Sequence, residues 1–182
     1  MAIPYNKPLW LLDPLFLDTE TTGVNGEAEV ISLTIANSQE NILLSTFIKP
    51  VVPIDTESQS YAVNGITQDM VEDAPSFVEV WENAKPLLEG RIIVCFNSDF
   101  DSRLLRQSCA RACVEPVQAE WFCAMTSVGK TDGRWIKLEK ACNLFGVICN
   151  PDHTSAGDTI ALVRLVQAWN TEGGSVIRCQ TK

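Results

Sequence analysis

No stretch of this chain keeps the roughly 18 consecutive apolar residues that a membrane-crossing helix needs, so no spanning segment is expected. Near the N-terminus Leu9, Trp10, Leu11 and Leu12 form a short apolar run, but Asp13 ends it and Lys7 is the one basic side chain ahead of it. That is not the pattern of a secretory leader. The sequence also lacks any Cys-x-x-Cys pair. Its seven cysteines are scattered, and Cys109 and Cys113, four apart, have no evident co-ligands. A structural zinc site is therefore not expected, and the thiols read as reduced and mostly buried, as in a cytoplasmic protein. Positive charge is scarce where the chain begins: residues 1–90 carry 3 basic against 14 acidic side chains. The rest carries 11 and 9, for a net charge of −9. A broad basic face that coats nucleic acid is excluded by this balance. Contact with a polyanion would have to come from the second half, through Arg103, Arg106, Lys130, Arg134, Lys137 and Lys140, or from bound metal ions that supply charge locally.

What is present suits one globular domain: 182 residues, 46% of them apolar, with no internal repeat or low-complexity tract. Residues 15–19 read as a short buried strand that runs into the turn residues Thr21, Thr22 and Gly23. Residues 30–36 and 42–48 are two β-rich runs joined by a polar hairpin at 37–41. Helical segments are expected near 57–63, 68–72 and 76–89, the last distorted or shortened by Pro86. The unbroken apolar run 92–96 predicts a strand buried on both faces, followed by a helix over 99–112. A shorter strand at 121–125 and a helix bearing Leu138, Ala141, Cys142 and Phe145 come next. A last helix spans about 155–169, and Gly173–Gly174 opens a loose tail. Three strands followed by alternating strands and helices predict an α/β fold with a mixed sheet, an antiparallel meander joined to parallel βαβ units.

Three acidic motifs stand out. In Phe16-Leu17-Asp18-Thr19-Glu20, a strand places Asp18 and Glu20 on one face, where two carboxylates repel unless a cation lies between them. Taken alone, Asp-x-Glu also fits an exposed acidic turn. Asn97-Ser98-Asp99-Phe100-Asp101 follows the buried strand, at the carboxyl end where open α/β sheets place their sites. An acid in the first turn of a helix also suits the helix dipole, so capping accounts for Asp101 as well as a ligand role does. In His153-Thr154-Ser155-Ala156-Gly157-Asp158 the only histidine stands five residues before an aspartate. Five residues along one helix is a rotation of about 140°, so the pair converges only if His153 lies in the loop and Asp158 in the helix. Asp158, Leu162, Leu165 and Trp169 share one helical stripe, and a carboxylate on a core-facing stripe needs a partner such as a metal.

Together these pieces resemble the DEDDh branch of the proofreading-exonuclease superfamily. FLDTETTG is similar to its first motif, FNSDFD to its second and HTSAGDT to its third, in order and spacing. Asn64-Gly65-Ile66-Thr67 resembles the family's pocket segment, and residues 120–125 resemble a strand of exonuclease X-like members. The resemblance implies an RNase H-like mixed five-stranded sheet flanked by helices, over a domain at 15–172 between an N-terminal extension (1–14) and a tail (173–182). It implies that Asp18, Glu20, Asp101 and Asp158 hold two divalent ions, Mg²⁺ with Mn²⁺ as a substitute, and that His153 is the general base. The activity implied is 3′→5′ removal of nucleoside 5′-monophosphates, from DNA rather than RNA, with Thr21, Ile66 and Asn97 contacting substrate. A polymerase partner or a homodimer is the assembly it suggests. The alternatives are an exoribonuclease on the same scaffold and an inactive module that holds a strand end or a polymerase. Phe96, Asn64 and Ser155 depart from the usual His, His and Ala of the family, and none of these changes removes a proposed ligand or the base.

Overall fold

The structure, a computed structural model, describes residues 12–131, 133–149, 154–171 and 177–178. In chain order its elements are β1 (Leu15–Thr21), β2 (Val30–Asn37), β3 (Ile42–Phe47), α1 (Gln59–Asn64), α2 (Gln68–Val71) and α3 (Phe77–Leu88). Then come β4 (Ile92–Cys95), α4 (Ser98–Arg111), β5 (Glu120–Cys123), α5 (Ala124–Val128), β6 (Lys130–Thr131), β7 (Arg134–Trp135), α6 (Leu138–Leu144), α7 (Ser155–Thr171) and β8 (Ile177–Arg178).

The mixed sheet is ordered β3-β2-β1-β4-β5, with β8 added at the edge. β1 and β2, and β2 and β3, pair antiparallel, while β1, β4 and β5 run parallel. This is the expected meander joined to parallel units. The alternation of β1 decides what each face holds. Leu15 and Leu17 enter a core with Val80 and Trp81 of α3 and Leu104 and Leu105 of α4. Phe16 points the other way, into a core with Leu162, Val163 and Val166 of α7. Asp18 and Glu20 continue the parity of Phe16, towards α7.

Two expectations need correction. The segment after Gly173 was expected to be a loose tail, yet Ile177 and Arg178 pair antiparallel with Cys123 and Phe122. β5 is otherwise an open sheet edge, and even a two-residue strand meets its unpaired backbone groups. Pro86 does not cut α3 short: it forgoes the bond to the Glu82 carbonyl, but it lies in the last turn, and the helix continues to Leu88. Residues 1–11, and with them most of the N-terminal extension, lie outside the described residues, as does His153.

The pairing of β1 with β2 contains a bulge. Glu20 faces Ser32, but Thr21 faces Val30, so Ile31 is the extra residue. A bulge puts two successive side chains on one side of a sheet. Ile31 packs with Ile66 and Val71, seating the segment that follows Gly65. Ser32 instead reaches α7, where its hydroxyl lies 2.7 Å from that of Ser155. The Ser155 hydroxyl also meets Thr34 Oγ1 at 2.8 Å, and Thr34 continues to Ser45 at 3.0 Å. These hydroxyls fix the first turn of α7 against β2. They also give the Ser155 side chain a role that an alanine could not fill, since it bonds two inward hydroxyls of β2. Ser155→Ala should therefore lower stability by about 1–3 kcal/mol, read from thermal or urea melting, because it leaves buried polar groups unmatched. No loss on substitution would show that the chain does not anchor α7.

Candidate active site

Three elements deliver the acids to the carboxyl edge of β1 and β4, the crevice where open sheets bind ligands. β1 supplies Asp18 and Glu20. α7 supplies Asp158: Thr154 caps this helix, its Oγ1 accepting from Gly157 N at 3.1 Å and its carbonyl from Asp158 N at 3.0 Å. Asp158 thus sits in the first turn of α7, as expected for its half of the His153–Asp158 spacing, and Thr154 stands just outside the helix. Carboxylate oxygens of Asp18, Glu20 and Asp158 all lie within 4.8 Å of one another, the one cluster of three or more potential metal ligands among the described residues.

Asp101 stands outside that group of three but beside it. Asn97 is the N-cap of α4, though its side chain makes no capping bond. The Asn97 carbonyl accepts from Phe100 N and Asp101 N. The Asp101 carboxylate reaches across to β1: its Oδ1 accepts from Thr19 Oγ1 at 2.8 Å and from Thr19 N at 3.2 Å. The acid is buried, and Thr19 ties it to the strand between Asp18 and Glu20. Asp99, the other acid of this turn, is exposed.

Electrostatics follow from this crowding. Burial, then the charges of Asp101, Glu20 and Asp158, hold the Asp18 carboxyl well above the ordinary carboxylate range. Burial and the charge of Asp158 push Glu20 up to about 7, against a hydrogen bond from Asn64 that lowers it. Burial pushes Asp101 up to about 7 despite the two bonds from Thr19. Three acids that resist ionising, crowded with the carboxylate of Asp158, form a site that gains from a hard divalent cation, and their all-oxygen donor set matches one.

Two cavities flank Glu20 and Asn64. One, of about 320 Å³, is bordered by Phe47, Ile66, Met70 and Ser155. The other, of about 280 Å³, is bordered by Thr19, Thr21, Val63 and Phe100. Asn64 joins their walls: Nδ2 donates to Thr21 O at 3.1 Å and Oδ1 accepts from Ile66 N at 3.0 Å. Ile66 is only 4% exposed and forms a wall, whereas Met70, 46% exposed, stands free at the rim. Phe47, Phe100 and Thr19 were not singled out from sequence. Phe47 ends a strand whose alternation gave no hint of a cavity, and Thr19 looked like a spacer between two acids.

The comparisons with known proteins agree with this geometry. Residues 15–166 match the family model RNase_T, described as Exonuclease. An uncharacterized exonuclease of Escherichia phage 186 is 37% identical over 100 residues, 54% of this chain and 50% of that protein. A DNA polymerase III subunit epsilon-like protein of Rhodobacter capsulatus is 29% identical over 91% of this chain and 25% of its own length. The chain thus spans between a quarter and a half of these two relatives. Among solved structures, the nuclease domain of 3′hExo, a DEDDh family member bound to rAMP, has a TM-score of 0.74 at 17% identity, covering 94% of this chain and 98% of that one. Exonuclease X in complex with 5′ overhanging duplex DNA has a TM-score of 0.66 at 22% identity, covering 88% and 93%. At these identities the structures show a shared fold, and the family match extends it to sequence over most of the chain. This chain belongs to the RNase_T exonuclease family.

Proposed function

We propose that the chain removes nucleoside 5′-monophosphates stepwise from the 3′ end of a DNA strand, by hydrolysis at a centre of two divalent cations. The observation that carries this reading is the convergence of Asp18, Glu20 and Asp158 oxygens within 4.8 Å, in a chain of an exonuclease family. These three acids and Asp101 are the residues that would hold Mg²⁺, with Mn²⁺ as a substitute. Bound there, the ions would acidify an attacking water and offset charge on the leaving 3′-oxygen. Thr19 holds Asp101 in place for this. His153, directly before the cap of α7 in sequence, accepts the proton of the attacking water; a neutral imidazole with an ordinary pKa of about 6.5 suits that task above pH 7. For substrate, Thr21 and Phe100 border one side of the terminal nucleotide, Ile66 and Met70 the other, and Asn97 stands at the start of α4. Phe100 and Met70 offer the apolar surface on which a base packs.

DNA is preferred because several relatives are named as DNA polymerase III subunits and one structural neighbour was solved with DNA. A neighbour bound to rAMP supports RNA 3′ ends as the second reading. The same relatives make a polymerase, or a second copy of the chain, the partner to seek by size-exclusion with light scattering. The test of function is a time course on 3′- and 5′-labelled single-stranded DNA and RNA of one sequence. Shortening from the 3′ end in Mg²⁺ or Mn²⁺, abolished by EDTA and faster on DNA, is expected. Shortening from the 5′ end, or undiminished activity in EDTA, would overturn the reading, and faster RNA cleavage would exchange the substrate.

A further inference from the structure

We propose that the β6–β7 hairpin and the start of α6 form a second grip on the substrate strand, holding nucleotides a few steps upstream of the 3′ end. This rests on the strand-end activity proposed above. A cavity of about 610 Å³, larger than either beside Glu20, runs along Arg134, Trp135, Lys137 and Lys140, with Glu139 the one acid on its wall. Among the other described bases Lys49, Arg91, Arg111 and Arg164 each meet a carboxylate at 2.6–2.9 Å, while Lys85, Arg103 and Arg106 are spread along α3 and α4 and line no shared cavity of this size. Lys130, Arg134, Lys137 and Lys140 form no such ion pair among the described residues. In a chain of net charge −9, four bases without a carboxylate partner among the described residues, all on one short segment, are a local reversal of sign. Trp135 lies among them, 49% exposed, with Lys130 Nζ 4.7 Å from its ring centroid. An aromatic face ringed by cations is the equipment for stacking a base while its phosphates are neutralised, with little regard to sequence.

Its place in the fold points to the same occupant. β5 runs parallel to β4 and β1, so α5 and the hairpin leave the sheet at the edge where Asp18 and Glu20 stand. β5 is two strands from β1, a separation of about 10 Å, which a strand leaving the carboxylates can cross. Ile136, next after β7, packs with Ala161 and Leu165 of α7, the helix that carries Asp158. The grip is therefore fixed to the same helix as the reactive centre.

The test compares the unaltered protein with Trp135→Ala and with the double variant Lys137→Glu/Lys140→Glu. Substrates are a 20-nucleotide oligothymidylate and a thymidine dinucleotide. On the long substrate KM should rise about tenfold with kcat within twofold, since loss of one stacked base and its phosphate contacts has that scale. On the dinucleotide, too short to reach the hairpin, kcat/KM should change less than twofold. Binding of the labelled 20-mer to the same variants in an Asp18→Asn background gives a reading independent of hydrolysis, and the salt dependence of that binding should flatten. If the unaltered protein hydrolyses nothing, the proposed function fails while the binding measurement still tests the grip. Equal affinity of all three proteins for the 20-mer, or equal losses on both substrate lengths, would overturn it.

Discussion

Asp18→Asn is expected to lose hydrolysis by at least about 10³-fold while the metal-free protein melts at a higher temperature at pH 8. The first effect follows if Asp18 is a shared ligand at the centre of the cluster: a thousandfold corresponds to about 4 kcal/mol of transition-state stabilisation. The second follows from the acids themselves. Asp18 is crowded by Asp101, Glu20 and Asp158, so replacing it with a neutral isostere removes repulsion from three neighbours at once. A gain of roughly 1–2 kcal/mol is the expected scale. Catalytic loss with a gain in apo stability is the signature of a site that opposes the fold until a cation arrives. An Asp18→Asn protein that unfolds, or that keeps near-normal rates, would remove Asp18 from the role assigned to it.

The second large effect is an inverted dependence of stability on pH. Most carboxylates in folded proteins are held below their ordinary range and stabilise more as pH rises. Here the folded-state values are raised, so the native protein binds more protons than the unfolded chain between about pH 4 and 7, and stability falls as pH climbs through that window. Glu20, moved from 4.5 to about 7, accounts for up to roughly 3 kcal/mol of this loss by itself. Asp101, also near 7, adds to it. In EDTA the melting temperature should drop by about 5–10 °C between pH 5 and pH 8, taking about 2–4 °C per kcal/mol for a chain of this size. Millimolar Mg²⁺ or Mn²⁺ should restore most of the difference at pH 8, because a ligand that binds only the native state stabilises it by mass action. Calorimetry at the two pH values, with and without the ion, decides the matter. A melting temperature that rises with pH in EDTA would mean that the acids are not mutually strained.

The parts of this site that could be read from sequence are those governed by short-range periodicity. Asp18 and Glu20 share a face because a strand alternates, and the position of Asp158 relative to Thr154 follows from helical rotation and a hydroxyl cap. The buried strand at 92–96 was visible as unbroken apolarity. What escaped depended on pairs far apart in the chain. Asp101 could be read equally as a cap or a ligand, and its hydrogen-bond partner Thr19 stands 82 residues away. Ser155 looked like an incidental departure from alanine until Ser32 and Thr34 supplied partners more than 120 residues distant. β6, β7 and β8 have two residues each, too few for any alternation to register. His153 was visible as a spacing, but it lies outside the described residues, and its role rests on that spacing and on the family.

The extra residue at Ile31 bears on how this centre tolerates change over time. It is what lets Ile31 and its neighbour Ser32 face the same way, one seating the turn at Gly65, the other tethering α7. Substituting either side chain would remove a single contact. Losing Leu33, by contrast, would close up the bulge, put Ile31 opposite Glu20 and turn Ser32 away from α7, so that both attachments fail together. This corner of the molecule is therefore more sensitive to insertions and deletions than to exchanges of one amino acid for another.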